Sequence, residues 1–286
     1  MKSRIKNILK RVFDAISIQE VRVLPGHLAY FFFVSLVPMI TVAGLFAGLF
    51  NIDLQVLAEL INNSIPKDIA EIIVPYIATS KWSLGATFSI LIAFFLASNA
   101  THALIITSNT LFHIDQTSEI DTRVKAFFMT FLIIFLLFFI IIILGFGDMI
   151  LKFIFSIGIL QNVSDFYYIL ISILKWPIAF FFIFYIVKLI FTIAPDASIP
   201  SKHMTNGALF TSLSWMIATF IYSFYVNNIA NYSVLYGSLA SIVMTLVWIY
   251  FLSYLFVIGV AINVGYYFEN KNEKTTQDNS ATDHVA

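Results

Sequence analysis

The polar residues best placed to do chemistry fall within one long apolar run, residues 84–111. Four of them stand out, namely Ser98, Asn99, His102 and Asn109. At helical spacing, positions 98, 102, 105 and 109 share one face and positions 99, 102, 106 and 110 share its neighbour, so the polar groups converge on His102. Such groups either line a wet cavity that binds a ligand or join helices by hydrogen bonds. The residue types favour helix joining and leave a ligand site open.

Enzymatic chemistry has little support in the residue types. Metal-dependent RNA hydrolysis needs several His, Asp or Glu ligands around one ion and a basic groove for the RNA. The five histidines are scattered along the chain, at positions 27, 102, 113, 203 and 284, and there is no cysteine. No Ser/His/Asp arrangement and no glycine-rich phosphate loop occurs. We therefore predict no catalytic, metal or cofactor site, no enzyme activity and no nucleic-acid partner.

The composition indicates a protein that crosses a membrane several times. Of the 286 residues, 60% are hydrophobic and 11% are charged, whereas globular proteins carry about 25% charged residues. Phenylalanine alone occurs 31 times, which suits helix surfaces that face lipid. The fold class predicted from these values is an all-α polytopic membrane protein.

Six apolar runs are long enough to span a bilayer. They are residues 28–50, 84–111, 126–146, 166–194, 206–226 and 235–268. The last would form a helix roughly 50 Å long, which exceeds a hydrocarbon core of about 30 Å, so it must tilt, bend or protrude. We predict one membrane domain over residues 1–268. The polar tail, residues 269–286, lacks aromatic residues and is predicted to be disordered.

Two further segments have the pattern of helices that lie on a membrane surface. Residues 2–22 carry six Lys and Arg opposite an apolar stripe at helical spacing. They predict a basic amphipathic helix on the anionic inner leaflet, and the alternative is a solvated basic tail. Residues 51–83, which are too polar to span, predict two short amphipathic helices near the opposite surface.

The distribution of positive charge predicts the orientation. Six spans place both termini on one side, together with twelve of the sixteen Lys and Arg residues, and leave four on the other side. Positively charged residues are retained on the cytoplasmic side of such proteins. We therefore predict a cytoplasmic-membrane protein with both termini in the cytoplasm.

Several motifs, taken in order, resemble those of the YihY/BrkB family of bacterial inner-membrane proteins. Near the N-terminus they are Leu28-Ala29-Tyr30-Phe31 and Ser35-Leu36-Val37-Pro38; towards the C-terminus they are Tyr236-Gly237-Ser238-Leu239-Ala240, Trp248-Ile249-Tyr250 and Gly259-Val260-Ala261-Ile262-Asn263. Between them, Ala194-Pro195-Asp196, Gly207-Ala208 and Trp215 fall in the order that the family has. The resemblance covers about residues 10–268.

The resemblance implies six transmembrane helices and the movement of envelope lipids or other solutes. The family has been labelled as ribonucleases and is linked by name to virulence. One position departs from its pattern, because Ala261 stands where members commonly carry an acid. Any ion-coupling role of that acid in relatives is therefore absent here.

Two functions follow as hypotheses. The first is a transporter-like protein that moves a lipid or another envelope-related substrate, and the second is a structural or assembly factor of the cell envelope. Membrane lipids are the expected partners, with a second copy of the chain or an envelope protein as further candidates. The glycines, Ser238 and Asn263 of the closing motifs are predicted to pack or cap helices.

Overall fold

The computed structural model describes residues 17–49, 84–115, 118–135, 164–228 and 239–283, and the regular secondary structure of these residues is entirely helical. The helices are α1 (Gln19–Leu49), α2 (Leu84–Phe112), α3 (119–135), α4 (Ser164–Ile193), α5 (Thr205–Asn228) and α6 (Ala240–Asp283). A 3-10 turn, Ser201–Met204, leads directly into α5. The predicted all-α fold class is confirmed.

Four described stretches are long and apolar enough to cross a membrane. They are Gln19–Met39, Leu91–Phe112, Ser201–Val226 and Ala240–Glu269, and Pro177–Ile193 in α4 is a shorter apolar helix. Backbone groups have no water to bond in lipid, so a spanning segment satisfies them within its own helix. Of the predicted third span, residues 126–135 are helical and residues 136–146 lie outside the described part. A total of six spans therefore stays a prediction.

The first helix begins earlier than its apolar run suggested. Residues 19–22, predicted as the end of the surface helix 2–22, are the first turn of α1, and that boundary was wrong. The reason is tertiary, because Val21 is fully buried in the protein core. Residues 2–16, and the two short helices predicted within 51–83, lie outside the described residues.

The C-terminal tail is helical where disorder was predicted. Helix α6 continues to Asp283, so the prediction was wrong for residues 269–283. No glycine or proline follows Gly265, and a helix that is already formed gains one hydrogen bond for each residue it adds. The tail therefore extends the last helix beyond its apolar part.

The buried core lies toward one end of the bundle. Helix α1 packs against α2 and α6, α5 packs against α6, and α4 packs against α5. The largest fully buried side chains include Leu28, Leu104, Phe191 and Phe256. They belong to the end of the bundle at which α2 ends, α3 begins, α4 ends and α5 begins, here called the packed end. In the other half, large apolar side chains are exposed, among them Leu91, Phe131, Phe181, Phe220 and Phe251, as suits contact with lipid.

Candidate functional site: polar clusters within the helix bundle

Three polar side chains link neighbouring elements at the packed end. They are Asn109, Lys125 and Asp196, here called the anchor cluster. The carboxylate of Asp196 accepts a hydrogen bond from Nδ2 of Asn109 at 2.7 Å, and Oδ1 of Asn109 accepts one from the backbone N–H of Asp196 at 2.8 Å. Nζ of Lys125 lies 2.6 Å from the same carboxylate. The cluster connects α2 and α3 to the segment after α4.

Lys125 also caps the end of α4. Its ammonium donates to the carbonyl oxygens of Ala194 and Pro195 at 3.0 and 2.8 Å. Carbonyls at the end of a helix lack intrahelical donors, and a cation there complements the helix dipole. All three protons of the ammonium therefore have acceptors. An open pocket of about 360 Å³ lies beside the cluster and is lined by Asp121 and residues 195–198 as well as Lys125.

A second cluster, the arginine cluster, lies deeper along α2. Nη2 of Arg123 donates to Oδ1 of Asn99 at 2.8 Å. The guanidinium carbon lies 4.3 Å from the ring centroid of Phe95 and 5.6 Å from that of Phe127, distances at which a cation is attracted to an aromatic face. His102, one turn from Asn99, interacts electrostatically with Arg123.

Other polar groups of α2 join helices or bond locally. The hydroxyl of Ser98 donates to the carbonyl of Phe95 in its own helix at 2.7 Å. The hydroxyls of Thr101 and Thr130 are 2.7 Å apart and link α2 to α3. Ser35 of α1 donates to the carbonyl of Leu96 at 3.0 Å. The four residues predicted as one polar site are thus divided, with Asn99 and His102 beside Arg123, Asn109 in the anchor cluster, and Ser98 in neither.

Helices α5 and α6 touch through glycine. A methyl group on Gly207 would overlap the backbone oxygen of Gly259, and one on Gly259 would overlap the hydroxyl of Thr211. The N–H of Gly207, in the first turn of α5, donates to Oδ1 of Asn263 at 2.8 Å. Asn263 therefore bonds a neighbouring helix, and Gly259 lies where two helices touch. Small residues allow such close approach in membranes.

Some buried polar atoms near the packed end have no hydrogen-bond partner among the described residues. They are Nδ1 of His27, Oγ1 of Thr107, Oγ of Ser108, Oγ1 of Thr211 and Nδ2 of Asn263. A buried polar group without a partner is costly. This half of the bundle is therefore more polar than helix joining alone requires.

An apolar groove separates α5 from α6 in the half of the bundle away from the packed end. Its volume is about 620 Å³, and its walls are Ser214, Ile217, Ala218, Ile221, Tyr222 and Tyr225 on α5 and Val247, Trp248, Phe251 and Leu255 on α6. The hydroxyl of Tyr222 donates to the carbonyl of Met244, and Nε1 of Trp215 donates to that of Leu252 at 2.9 Å. Nε1 of Trp248 is buried and has no partner among the described residues. The two bonds connect the same pair of helices that forms the groove.

Metal binding is not indicated within the described part of the chain, where no three His, Asp or Glu side chains are close enough to hold an ion.

Comparison with known proteins decides the family. The family model described as virulence factor BrkB matches residues 12–284. The chain belongs to the BrkB family. The predicted resemblance is therefore confirmed, and the match includes both clusters and the α5–α6 contact.

The relatives of this BrkB chain carry two kinds of name. A ribonuclease-like protein, YfkH, of Bacillus subtilis (strain 168) is 25% identical over 266 residues, which cover 90% of this chain and 94% of YfkH. UPF0761 membrane proteins of Aeromonas salmonicida (strain A449) and Vibrio atlanticus (strain LGP32) are 26% and 25% identical, covering 82% and 85% of this chain and 79% and 77% of their own. No solved structure matches the chain significantly. The BrkB chain is a membrane protein.

The motif residues that suggested the BrkB family have separate places in the structure. Ser35 and Asn263 are fully buried and bond neighbouring helices, Pro38 lies inside α1, and Tyr30 is 60% exposed. Tyr236, Gly237 and Ser238 lie outside the described residues. Ala261, where family members commonly have an acid, is a buried core residue.

Arg123 and Asp196 are the residues that sequence reasoning missed in this BrkB chain. Arg123 precedes the predicted third span by three residues and entered only the count of twelve positive charges. Asp196 appeared only within the Ala194-Pro195-Asp196 motif. One signal was available, because Asp196 is the sole acid between Asp165 and Glu269, and an isolated acid beside membrane spans usually has a partner.

Proposed function

We propose that this BrkB-family chain is a transporter-like protein that moves a membrane lipid, or another envelope-related amphiphile, across the cytoplasmic membrane. The observation that carries the proposal is the apolar groove between α5 and α6. Its volume of about 620 Å³ lies in the range of about 300–1,000 Å³ that is usual for small-molecule sites. Both of its walls belong to stretches long enough to span a membrane. Its apolar walls therefore suit the acyl chain of a lipid.

Polar groups inside the same bundle support movement as well as binding. A lipid has a polar headgroup that must cross the apolar core, and the packed end holds buried hydroxyl and amide groups without protein partners. The groove suits the acyl chains, and the polar half suits the headgroup. Transport of a lipid requires both an apolar groove and a polar region in one chain, and this chain has both.

Filling the groove should slow transport. We expect Ala218→Trp, whose side chain enters the groove, to reduce the rate of lipid movement between leaflets at least about tenfold, since overpacking costs of about 1–3 kcal/mol oppose entry of a chain. The measurement is the loss of signal from a fluorescent phospholipid in liposomes containing the purified protein, after addition of a membrane-impermeant quencher.

Leu213→Trp is the matched control, because Leu213 is exposed on α5 and is not a groove residue. Ser214→Leu provides a second variant that fills the groove less severely. Rates for the Ala218 and Ser214 variants equal to those of the wild type, in protein that elutes as the wild type does, would sink the role of the groove.

The orientation proposed for the chain places both termini in the cytoplasm. The chain has no native cysteine, so Ser198→Cys introduces one thiol in the exposed segment between α4 and α5. We expect this thiol to resist a membrane-impermeant reagent in intact cells and to react after permeabilisation. Equal labelling before and after permeabilisation would reverse the proposed orientation.

A structural or assembly role in the envelope is the second candidate. This role is favoured because polar side chains of α1 and α2 form hydrogen bonds to neighbouring elements. Ser35, Thr101 and Asn109 are examples. His102→Cys separates the two candidates by its reaction with a water-soluble thiol reagent. Labelling shows the wet interior that transport requires, and protection favours the structural role. Asp115→Cys in an exposed loop and Phe128→Cys on an exposed apolar face are the labelled and unlabelled references.

A further inference from the structure

The side chain of Arg123 turns towards the middle of the membrane. The carbonyl of Ala126 lies 2.8 Å from the hydroxyl of Thr101, so residue 126 of α3 is level with residue 101 of α2. Arg123 is one turn closer to the packed end, yet its guanidinium reaches back to Asn99. Long basic side chains near helix ends normally extend outward to the interface. Arg123 does the opposite.

The depth of the guanidinium follows from its partner. Asn99 lies roughly 20 Å along the axis from the end of α2 at Phe112, at a rise of about 1.5 Å per residue. It is an interior residue of the stretch Leu91–Phe112, which is long and apolar enough to span the membrane. A hydrocarbon core is about 30 Å thick. A bilayer centred on this stretch would enclose the guanidinium of Arg123 within its core.

The guanidinium is held in place but not neutralised. It is always protonated and carries five N–H donors. Among the described residues, its hydrogen-bond acceptor is Asn99, and the rings of Phe95 and Phe127 lie within cation–π distance. No carboxylate of the described residues forms a salt bridge with it, in contrast to Lys125, which has Asp196. Charged groups within membrane spans are rare and normally face a partner.

The neighbours of the guanidinium supply few acidic groups. His102 interacts electrostatically with Arg123, with His27 of α1 and with Glu119. Nδ1 of His27 is buried without a partner among the described residues. Among the described residues that act electrostatically on His102, Glu119 is the one acid, and it lies one turn before Arg123 on α3. The guanidinium therefore keeps N–H donors available for an anion.

We propose that Arg123, supported by Asn99 and His102, binds the phosphate group of a substrate within the bundle. The fork of guanidinium donors matches phosphate oxygens, and the two phenylalanine rings fix the plane of the fork. This inference rests on the proposed function, to which it adds that the substrate carries a phosphate. A phospholipid headgroup and a soluble phosphate ester share this chemistry.

Binding to the purified full chain in detergent distinguishes the sources. The probes are short-chain phosphatidylglycerol, short-chain diacylglycerol and inorganic phosphate, each measured by calorimetry. We expect Arg123→Gln to weaken phosphatidylglycerol binding at least about tenfold, the loss of one charge-assisted hydrogen bond, and to leave diacylglycerol binding unchanged. Arg123→Lys, which keeps the charge and loses the fork, should fall between Arg123→Gln and the wild type.

Arg22→Gln, which removes an exposed positive charge from α1, is the matched control and should bind as the wild type does. Arg123-dependent binding of phosphatidylglycerol but not of inorganic phosphate identifies a lipid source, and equal dependence for both identifies a soluble one. Unchanged phosphatidylglycerol binding by folded Arg123→Gln and Arg123→Lys overturns the site.

Transport measured in parallel separates the two proposals. A wild-type protein that moves no lipid while showing Arg123-dependent binding refutes the function and keeps the site, and transport indifferent to both Arg123 variants refutes the site alone.

Discussion

Replacing Gly207 by valine is expected to separate α5 from α6 and to cause the largest loss of folded protein. Even a methyl group at this position would overlap the backbone oxygen of Gly259 and lie 2.5 Å from Oδ1 of Asn263. A backbone oxygen cannot rotate away, so the helices must move apart. Overpacking costs about 1–3 kcal/mol, and loss of the bond from Gly207 to Asn263 adds about 1 kcal/mol.

The midpoint of thermal unfolding, followed by size-exclusion after heating in detergent, should fall by about 4–16 °C at the usual 2–4 °C per kcal/mol. Gly26→Ala is the matched control, since nothing lies within 4 Å of a methyl group there. Alanine favours a helix interior over glycine by about 1 kcal/mol, so this variant should be as stable as the wild type or more so. A Gly207→Val protein with the wild-type midpoint would show that the contact is looser than described.

Replacing Asp196 by alanine is expected to have the second largest effect. Its carboxylate is only 6% exposed and receives hydrogen bonds from both Lys125 and Asn109. Removing one partner of a buried ion pair costs about 3–5 kcal/mol. The lower end applies here, because Lys125 is 25% exposed and keeps two carbonyl acceptors. The unfolding midpoint should fall accordingly, and the segment after α4 should become sensitive to protease.

The coupling of the pair is measured with Lys125→Met, Asp196→Ala and the double variant. We expect the double variant to be less destabilised than the sum of the single variants, since it leaves no unpaired charge. Strict additivity would contradict the anchor cluster as a linked unit. Asp115→Asn, which alters an exposed carboxylate, is the control and should change stability by less than about 0.5 kcal/mol.

The two polar clusters differ in how many of their hydrogen-bond donors have an acceptor. This difference separates a stabilising cluster from one that can bind a ligand. In the anchor cluster, every proton of Lys125 has an acceptor, so further ligands have nothing to gain there. In the arginine cluster, Asn99 occupies one of five donors. Of the two clusters, stability assays should therefore respond more to changes at Asp196, and binding assays more to changes at Arg123.

Hydropathy and motifs alone determined the membrane class, the helical content and the family. Apolar runs must be helical because lipid offers the backbone no hydrogen bonds, and this argument needs no knowledge of contacts. Ordered motifs around Tyr30, Gly259 and Asn263 pointed to the BrkB family in the same way. The start of α1 and the helical tail were missed because packing of Val21 and extension of a formed helix lie outside the hydropathy pattern.

Only the tertiary structure decided which polar groups meet. Asn109 and Asp196 are 87 residues apart, and Gly207 and Asn263 are 56 apart. Lipid is as apolar as leucine, so an apolar helix face does not reveal whether it touches lipid or another helix. Nor does a position in the sequence reveal where a long side chain points. Arg123 lies three residues before a predicted span, and only the structure shows that its guanidinium bonds Asn99, in the interior of α2.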